Sequence, residues 1–361
     1  MSIKKDKYFI NLANNLAKNS LDYTGPNPSV GAVIVKDDKV LSFGTTNKSG
    51  RPHAEVNAIN GLSKNLRKGS TIYVSLEPCT HYGKSPPCVN EIIKSKIKKV
   101  VYSINDIDPR TSGKSFKILK SKKIVVKKNI YKLLSRSTYK NYFYSKKKNL
   151  PYVYGKLAIS KDSYLKDKKN FYITNNYSLD TAHVLRSKVN CILTSSKTIN
   201  DDNPKLNCRV EGLNKFTPKI AILDKNLKIK KNSFVILNAK KNKTFLFYNK
   251  INKNKIKYLK SKKVVLIHTP IKMLNLDFYF IMKKLYKNEI SSLLVEGGKL
   301  LTTTLIKNNF FNEFYLFIAG KKLKKNGLLK FKNIKKQLSK NFVNKSFNEA
   351  FLNEDNLIHY Y

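Results

Sequence analysis

Three short segments in the first half of the chain carry residue types that bind metal ions, and they constrain the fold more than any other feature. They are Pro52-His53-Ala54-Glu55, Glu77-Pro78-Cys79 and Pro86-Pro87-Cys88. The apolar spacing around them predicts that His53 and Cys88 each begin a helix and that Cys79 follows a strand. One imidazole and two thiolates on such element ends can converge on one ion and leave a fourth position open, as a catalytic zinc site requires. We therefore predict zinc bound by these three residues.

Glu55 lies two residues after His53, on the same first helical turn. Its carboxylate could reach the open position of the ion without ligating it, which is what a proton shuttle needs, so we predict Glu55 to be the catalytic residue. Taken singly, a His-x-Glu pair at a helix start is common, and two cysteines could be structural thiols. The combination in this order favours zinc. His81 is the one rival ligand, and we expect it to be a loop residue or a substrate contact.

Strand and helix signals alternate through the first half, which predicts an α/β unit with a largely parallel sheet. An amphipathic helix is expected between Met1 and Ser20, because Phe9, Leu12, Ala13 and Leu16 follow helical spacing. No apolar segment there resembles a signal peptide. Predicted strands cover residues 30–35, 40–43, 71–76, 99–104 and 124–126, and predicted helices cover 53–62 and 89–93.

A basic and aromatic stretch, residues 139–148, precedes Leu150-Pro151, where proline disfavours helix in its predecessor. We place the domain boundary there, with domains 1–147 and 148–361. The second domain is expected to have helices over residues 178–187, 278–287 and 300–307. Its predicted strands cover residues 152–159, 191–194, 219–223, 244–247, 264–267, 293–295 and 314–318, with a last strand in the tail.

The charge balance is extreme, with 72 Lys+Arg against 23 Asp+Glu and a formal net charge of +49. Such a charge is typical of nucleic-acid partners. However, the lysines are scattered along the whole chain, and Lys, Asn, Ile, Tyr and Phe are the residues that A/T-rich codons encode. We therefore favour nucleotide bias and expect no specific nucleic-acid partner. No apolar run approaches the ~20 residues that span a bilayer, so we expect a soluble, cytoplasmic protein without a membrane partner.

The metal motifs match the His-x-Glu and Pro-Cys elements of zinc deaminases that act on nucleobases. Together with Gly25-Pro26-Asn27-Pro28 and the loop Thr80–Pro87 between the cysteines, they resemble the deaminase half of the bifunctional riboflavin-biosynthesis deaminase/reductase. The resemblance implies hydrolytic deamination of a diaminopyrimidinone that carries a ribosylamino 5′-phosphate. It also implies that Asn27 and Lys84 bind this phosphorylated pyrimidine. Thr46 departs from the family, which usually has histidine there, and the loop Asp106–Gly113 is also altered.

The second half has no Gly-x-Gly-x-x-Gly fingerprint, so a Rossmann domain is not supported. It does have Glu296-Gly297-Gly298 between a predicted strand and a predicted helix, where backbone N–H groups can cradle phosphate. A second cluster runs from Thr194 through Asp202 to Arg209. Taken singly, each is an ordinary glycine turn or polar loop.

Both clusters, in this order, resemble the reductase half of the same family, so the resemblance covers essentially the whole chain. It implies an N-terminal cytidine-deaminase-like α/β/α domain followed by a C-terminal dihydrofolate-reductase-like α/β domain that uses NADPH to reduce the ribosyl group to ribityl. The implied cofactor-binding residues are Ala158, Tyr172, Thr198, Asp202, Gly298, Lys299 and Leu300. The implied substrate-binding residues are Asn170, Arg186, Leu206, Arg209 and Glu296.

The family's glycine, serine and tryptophan in this region are replaced by Ser163, Asn170 and Tyr172. Tyrosine can still stack on a ring, so we expect cofactor binding to be retained. Arg186 and Arg209 suit a phosphate, because a guanidinium fork can pair with two oxygens. In our interpretation Asp202 and Arg209 share one loop.

Three alternatives remain open at this point: a nucleic-acid deaminase with an unrelated basic C-terminal domain, a nucleic-acid-binding protein with structural zinc, and a partly decayed enzyme. Structural zinc would require a fourth ligand, and none is evident. The oligomeric state is also open, a homo-oligomer included.

Overall fold

A computed structural model describes residues 3–19, 24–25, 27–347 and 352–361 of the chain. Met1, Ser2 and Ser20 of the predicted N-terminal helix, and Pro26 of the Gly25–Pro28 motif, lie outside the described residues. The chain divides into two compact units, Met1–Leu150 and Pro151–Tyr361. The division falls three residues after the boundary at 147 that we placed from the sequence.

The first unit contains seven helices and five strands among its described residues. In chain order they are α1 Ile3–Asn19, β1 Gly31–Lys36, β2 Lys39–Thr45, α2 Ala54–Asn60, α3 Lys64–Arg67, β3 Thr71–Val74, α4 Cys88–Lys94, β4 Lys99–Tyr102, α5 Lys114–Ser121, β5 Val125–Lys127, α6 Lys132–Thr138 and α7 Lys140–Lys148. The strands form one sheet in the order β2-β1-β3-β4-β5.

Helices cover both faces of this sheet. Side chains alternate across β1, because Val33 and Val35 pack with Phe9 and Ile10 of α1, whereas Ile34 packs on the opposite face with α2, α4 and α5. Alternation of this kind follows from the two-residue repeat of a strand. The result is the expected α/β/α arrangement.

One expectation for this unit is wrong, since its sheet is mixed and not largely parallel. β3, β4 and β5 are parallel, but β1 pairs antiparallel with both β2 and β3. The cause is the tight turn between β1 and β2, where Asp37 and Asp38 both have positive φ, at 50° and 59°. Two successive left-handed residues produce a two-residue hairpin, which joins only antiparallel strands.

The second unit is larger and also of the α/β class, as expected. Its elements are β6 Tyr152–Ile159, β7 Tyr164–Asp167, α8 Asn176–Ser187, β8 Cys191–Ser195, α9 Ser196–Asp202, β9 Lys219–Leu223, α10 Phe234–Leu237, β10 Thr244–Tyr248, α11 Lys253–Ser261, β11 Val265–His268, β12 Ile271–Lys272, β13 Asn275–Leu276, α12 Phe278–Lys287, β14 Ser292–Glu296, α13 Lys299–Lys307, β15 Glu313–Ile318, β16 Gly327–Lys330, α14 Ile334–Asn341, β17 Lys345–Phe347 and β18 Asn356–Tyr360. The predicted ranges of β6, β9 and α12 are confirmed to the residue.

Nine strands form the main sheet of this unit, in the order β11-β10-β9-β8-β14-β6-β15-β18-β17. The pairs from β11 through β15 are parallel, and only β18 and β17 pair antiparallel. The loops that follow β8 and β14 therefore lie at the carboxyl edge of a parallel sheet, where α/β proteins bind ligands. No helix in the described part of the chain is both long and apolar enough to cross a bilayer.

A buried carboxylate connects α1 to the sheet of the first unit. Asp6 is fully buried, and it accepts hydrogen bonds from Lys127 at 2.7 Å, from Lys99 at 2.9 Å and from the Tyr73 hydroxyl at 2.9 Å. Burial raises the pKa of Asp6, but the donors, Lys127 foremost, more than offset this and hold its pKa below the usual value. This cluster joins α1 to β3, β4 and β5.

We predict that Asp6→Asn lowers the free energy of unfolding by about 2–4 kcal/mol, because it leaves two lysines without their buried counter-charge. Asp38→Asn is the matched control, since Asp38 pairs with Lys5 at the exposed surface, and it should cost less than about 1 kcal/mol. Urea unfolding measures both. The lowered pKa of Asp6 stabilises the fold at pH values above about 3.9, the pKa of aspartate in the unfolded chain. This stabilisation is lost as the pH falls through the pKa of Asp6 in the folded protein. The difference in free energy of unfolding between wild type and Asp6→Asn should therefore shrink in acid. Equal stabilities of the two variants at neutral pH would contradict the prediction.

Candidate functional sites

Three metal-binding side chains converge in the first unit. His53 caps the N-terminus of α2, Cys88 is the first residue of α4, and Cys79 lies in the loop after β3. Their donor atoms all lie within 4.8 Å of one another, with His53 Nδ1 3.2 Å from Cys88 Sγ and 3.5 Å from Cys79 Sγ. Tetrahedral zinc with ordinary bond lengths places a nitrogen and a sulfur ligand about 3.6 Å apart. The donor set and its spacing therefore fit a zinc ion.

The helix that carries His53 packs unusually close to the sheet. Gly44 of β2 makes this possible, since a Cβ at that position would lie 2.4 Å from the Ala54 carbonyl oxygen and 2.5 Å from the Ala58 nitrogen. Any larger residue would push α2, and His53 with it, away from the sheet. This close approach is one reason why the imidazole reaches the two thiols.

Hydrogen bonds favour a negative charge on Cys79. The Cys88 amide N–H donates to Cys79 Sγ at 3.2 Å, and hydrogen bonding by the Cys88 thiol lowers the pKa of Cys79. The hydrogen bond to Cys79 raises the pKa of His53, because a thiolate stabilises an imidazolium. A thiolate is the form of cysteine that binds metal. His81 is not part of the cluster, because its Nδ1 lies 3.1 Å from the Thr111 hydroxyl instead.

Glu55 lies beside the three donors without joining them. Its side chain is 3% exposed and hydrogen-bonds the Cys88 thiol, and burial raises its pKa to about 7. It is absent from the group of donors within 4.8 Å of one another. The structure thus places a buried carboxylate next to a metal-binding cluster, where the sequence analysis expected the catalytic residue.

Glu77 is a buried site residue for which the sequence analysis found no role. Its carboxylate accepts hydrogen bonds from the amides of Asp106, Gly113 and Ser115 and from the Ser115 hydroxyl, at 2.8–3.2 Å. It therefore ties the loop after β4 to the segment that carries Cys79. The only signal in the sequence was an acidic residue directly before Pro78-Cys79, and its burial could not be read from that.

The implied substrate residues of the first unit lie on two of its loops. Asn27 Nδ2 donates to the Gly50 carbonyl oxygen at 3.0 Å, and Lys84 is exposed on the loop between Cys79 and Cys88. Thr46, which replaces the family's histidine, is buried, and its hydroxyl accepts from the Val30 amide at 3.0 Å. Thr46 is thus engaged in holding the strand ends together.

A bidentate ion pair marks the second unit. Arg186 of α8 donates from Nε and Nη2 to the two carboxylate oxygens of Glu296, at 2.6 and 2.9 Å, and Lys156 Nζ lies 3.9 Å from the same carboxylate. Glu296 ends β14 and is in register with Lys156 of β6. Burial raises the pKa of Glu296, but Arg186 more than offsets this, and the pKa falls to about 2. We expected the Arg186 guanidinium to face a phosphate. It binds Glu296 instead, and its Nη1 donates to the Asn207 carbonyl oxygen at 3.3 Å.

Asp202 and Arg209 do not share a loop, which corrects our interpretation. Asp202 is the last residue of α9, where it accepts a hydrogen bond from Lys166 at 2.6 Å, and Arg209 is exposed in the following loop, 2.9 Å from Asn207 Oδ1. Because the segment is almost entirely polar, it lacks the apolar periodicity that would have predicted a helix. Its start is capped by Ser195, which accepts from the Thr198 amide.

The implied cofactor residues of α13 lie at an open surface. Gly298 caps the helix, nothing lies within 4 Å of a Cβ placed there, and Leu300 is 82% exposed. Lys299 is also exposed, and Ala158 is partly buried on β6. The N-terminal amides of this helix are thus accessible to an anionic ligand.

The remaining implied residues differ in their exposure. Tyr172 is 48% exposed and packs edge-on against Phe171, and Asn170 Nδ2 donates to Asp167 Oδ2 at 2.9 Å. The Leu206 side chain is buried in the hydrophobic core, which leaves its backbone for any substrate contact. Ser163 has a φ of 71°, a left-handed conformation that explains the family's glycine at this position.

Comparisons with known proteins match both units. Residues 3–104 match the family described as the cytidine and deoxycytidylate deaminase zinc-binding region, and residues 151–327 match the RibD C-terminal domain. The riboflavin biosynthesis protein RibD of Aquifex aeolicus (strain VF5) is 38% identical over 319 residues, 88% of this chain and 87% of the relative.

One further relative covers less than half of the chain, and a solved structure covers nearly all of it. The diaminohydroxyphosphoribosylamino-pyrimidine deaminase of Buchnera aphidicola subsp. Schizaphis graminum (strain Sg) is 42% identical over 147 residues, which is 41% of this chain and 99% of that protein. The solved structure of a diaminohydroxyphosphoribosylaminopyrimidine deaminase/5-amino-6-(5-phosphoribosylamino)uracil reductase from Thermotoga maritima is 28% identical, with a TM-score of 0.80 over 99% of this chain and 98% of that chain.

We predict one zinc per chain and a large loss of zinc in Cys88→Ser, because a hydroxyl does not replace a thiolate ligand. Metal analysis of the purified, dialysed protein measures the stoichiometry. Cys208→Ala is the matched control, since Cys208 is a buried cysteine of the second unit and should keep full zinc. Undiminished zinc in Cys88→Ser would show that the ion binds elsewhere.

Proposed function

The chain belongs to the family of bifunctional riboflavin-biosynthesis deaminase/reductases, and on that premise we propose that its two units divide the two reactions between them. The first unit is a zinc-dependent deaminase and the second an NADPH-dependent reductase. The observation that carries this division is that each unit holds its own partly buried charged site: the His53, Cys79 and Cys88 cluster in one, and the Arg186–Glu296 pair in the other. The alternative of a nucleic-acid deaminase is not favoured, because residues 151–327 match a reductase domain.

The proposed substrate of the first unit is a diaminopyrimidinone with a ribosylamino 5′-phosphate. A zinc ion held by His53, Cys79 and Cys88 supplies an activated water molecule for hydrolysis at neutral pH. Glu55 accepts a proton from the attacking water and delivers it to the amino group, which leaves as ammonia while the ring carbon gains a carbonyl oxygen. Its buried position beside the donors, outside the ligand set, supports this role. Asn27 and Lys84 bind the pyrimidine and its substituent.

The second unit acts on the deaminated product. When bound, NADPH would supply the hydride needed to reduce C1′ of the opened, imine-like sugar to the ribitylamino product. The phosphates of NADPH would lie at the α13 N-terminus, near Gly298, Lys299 and Leu300. The other cofactor contacts would come from Ala158, Tyr172, Thr198 and Asp202, and the substrate contacts from Asn170, Arg186, Leu206, Arg209 and Glu296.

Arg186 has a more specific role in this proposal than phosphate binding. Because its fork is bound to Glu296, it holds that carboxylate ionised and correctly oriented beside Lys156. Arg209 is exposed, and in the described part of the chain its guanidinium hydrogen-bonds Asn207 and pairs with no carboxylate, so it is better placed to receive the substrate phosphate.

We further propose that the enzyme works in the cytoplasm on these small molecules, without a specific nucleic-acid partner. Its net charge of +49 raises the local concentration of phosphorylated substrates whatever the origin of the composition.

Glu55→Gln should keep zinc but lose deamination by at least about 10²–10⁴-fold, since the amide retains the size of the carboxylate and removes the base. Deamination of the phosphorylated diaminopyrimidinone is followed by absorbance, and zinc by metal analysis. With the deaminated intermediate supplied, NADPH oxidation should proceed at the wild-type rate. A variant that lost zinc together with activity would place Glu55 in the ligand set.

Arg209→Ala should spare zinc and deamination and raise the KM for the deaminated intermediate by about 10–100-fold, the effect of losing a hydrogen bond to a charged group. Lys215→Ala, which removes an exposed positive charge further along the same connection, is the control and should leave this KM near the wild-type value. If Arg209→Ala reduced deamination as strongly as reduction, the division into two sites would be wrong.

A further inference from the structure

Arg51 is a charged residue of the first unit that the proposed chemistry leaves unused. It follows the short 3-10 turn Lys48–Gly50 in extended conformation, two residues before the metal-cluster histidine His53. The residue is partly buried, and its Nε atom is buried without any hydrogen-bond partner. A guanidinium in such a position has lost part of its hydration without gaining a partner in exchange.

Arg51 also lacks a counter-charge. No ion pair involving Arg51 exists in the described part of the chain. Asp108 pairs with Arg110 and Lys146, and the Glu77 carboxylate is occupied by backbone and hydroxyl donors. Arg51 is thus an uncompensated positive group close to a site whose proposed substrate is an anion.

The position of Arg51 relates it to the substrate groups proposed above. Its Nη2 atom lies 3.8 Å from the place of a Cβ on Gly83, in the loop that also carries Lys84. The carbonyl of the preceding residue, Gly50, accepts the hydrogen bond from Asn27. Arg51 therefore lies between Gly50, which binds Asn27, and the metal-cluster histidine in the sequence, and its guanidinium approaches the Lys84 loop.

We propose that Arg51 binds the 5′-phosphate of the deaminase substrate and makes the first unit selective for phosphorylated over unphosphorylated pyrimidines. The guanidinium suits this task, because its planar set of donors pairs with phosphate oxygens and stays charged at all relevant pH values. The substrate's amino group must lie at the metal cluster, so its phosphate binds away from the ion, where Arg51 approaches the loop that carries Lys84. This inference rests on the proposed function of the first unit.

The test compares Arg51→Gln with wild type on two substrates, the phosphorylated diaminopyrimidinone and the same compound without its phosphate. We expect the KM for the phosphorylated substrate to rise about 10–100-fold, with kcat nearly unchanged, because a hydrogen bond to a charged group is lost. The KM for the unphosphorylated compound should not change. Competitive inhibition by inorganic phosphate should weaken, and zinc content should stay at the wild-type level.

Two further variants separate a specific contact from general effects. Arg136→Gln removes the same charge from an exposed position on α6, and it should leave the KM for the phosphorylated substrate near the wild-type value. Arg51→Lys keeps the charge but loses the planar donors, so it should lie between wild type and Arg51→Gln. It also tests the proposal if the glutamine variant fails to fold.

Several outcomes would overturn the inference. An unchanged KM in Arg51→Gln, or an equal rise for both substrates, would show that Arg51 does not bind the phosphate. An equal rise in Arg136→Gln would show that net charge alone attracts the substrate. In each of these cases the wild-type enzyme still deaminates the phosphorylated compound, so the proposed function stands. Only a zinc-loaded wild-type enzyme that fails to deaminate it would overturn both.

Discussion

Bringing an imidazole and two thiols within 4.8 Å of one another is the constraint on which the first unit depends. The three side chains come from the start of α2, the start of α4 and the loop after β3, so each of those elements must end at the right place. Gly44 allows α2 to approach the sheet, and Glu77 ties the loop after β4 to the Cys79 segment. The positive ends of the two helices favour the negative charge that the thiolates bring. The fold and the site geometry of this unit are therefore coupled, because the helix packing that buries its core also sets the distances between the metal-binding side chains.

The second unit has a different kind of site, which is built on an ion pair and not on metal-binding residues. The ligand surface that we propose for it lies at the carboxyl edge of a parallel sheet, and Glu296 there is paired with Arg186 and close to Lys156. Truncating one partner of such a buried pair is costly, because the other charge loses its compensation. The pair therefore fixes the geometry of this charged group. Arg209, Lys299 and Leu300, which we propose to bind ligands, are exposed.

The large positive charge affects both units but does not determine the ligand selectivity of either one. Most of the lysines are scattered and solvated, and they raise the potential around the whole molecule. Selectivity needs charges at defined places with no competing partner. Among the described residues, neither Arg209 in the second unit nor Arg51 in the first pairs with a carboxylate, whereas Arg110 and Arg186 are each bound to a carboxylate of the protein.

The sequence by itself determined the α/β class, most strands and the identity of the metal-binding residues, because period-two and helical spacing are local and because His53, Cys79 and Cys88 are chemically distinctive. Only the tertiary structure decided which partners the charged residues take. It revealed the burial of Glu77, the pairing of Arg186 with Glu296 and the unpartnered Nε of Arg51, all of which depend on contacts between distant segments. It also decided the antiparallel placement of β1 and the helical state of the segment ending at Asp202. A hairpin of two left-handed aspartates and a serine cap are set by backbone conformation, which the hydrophobic pattern does not encode.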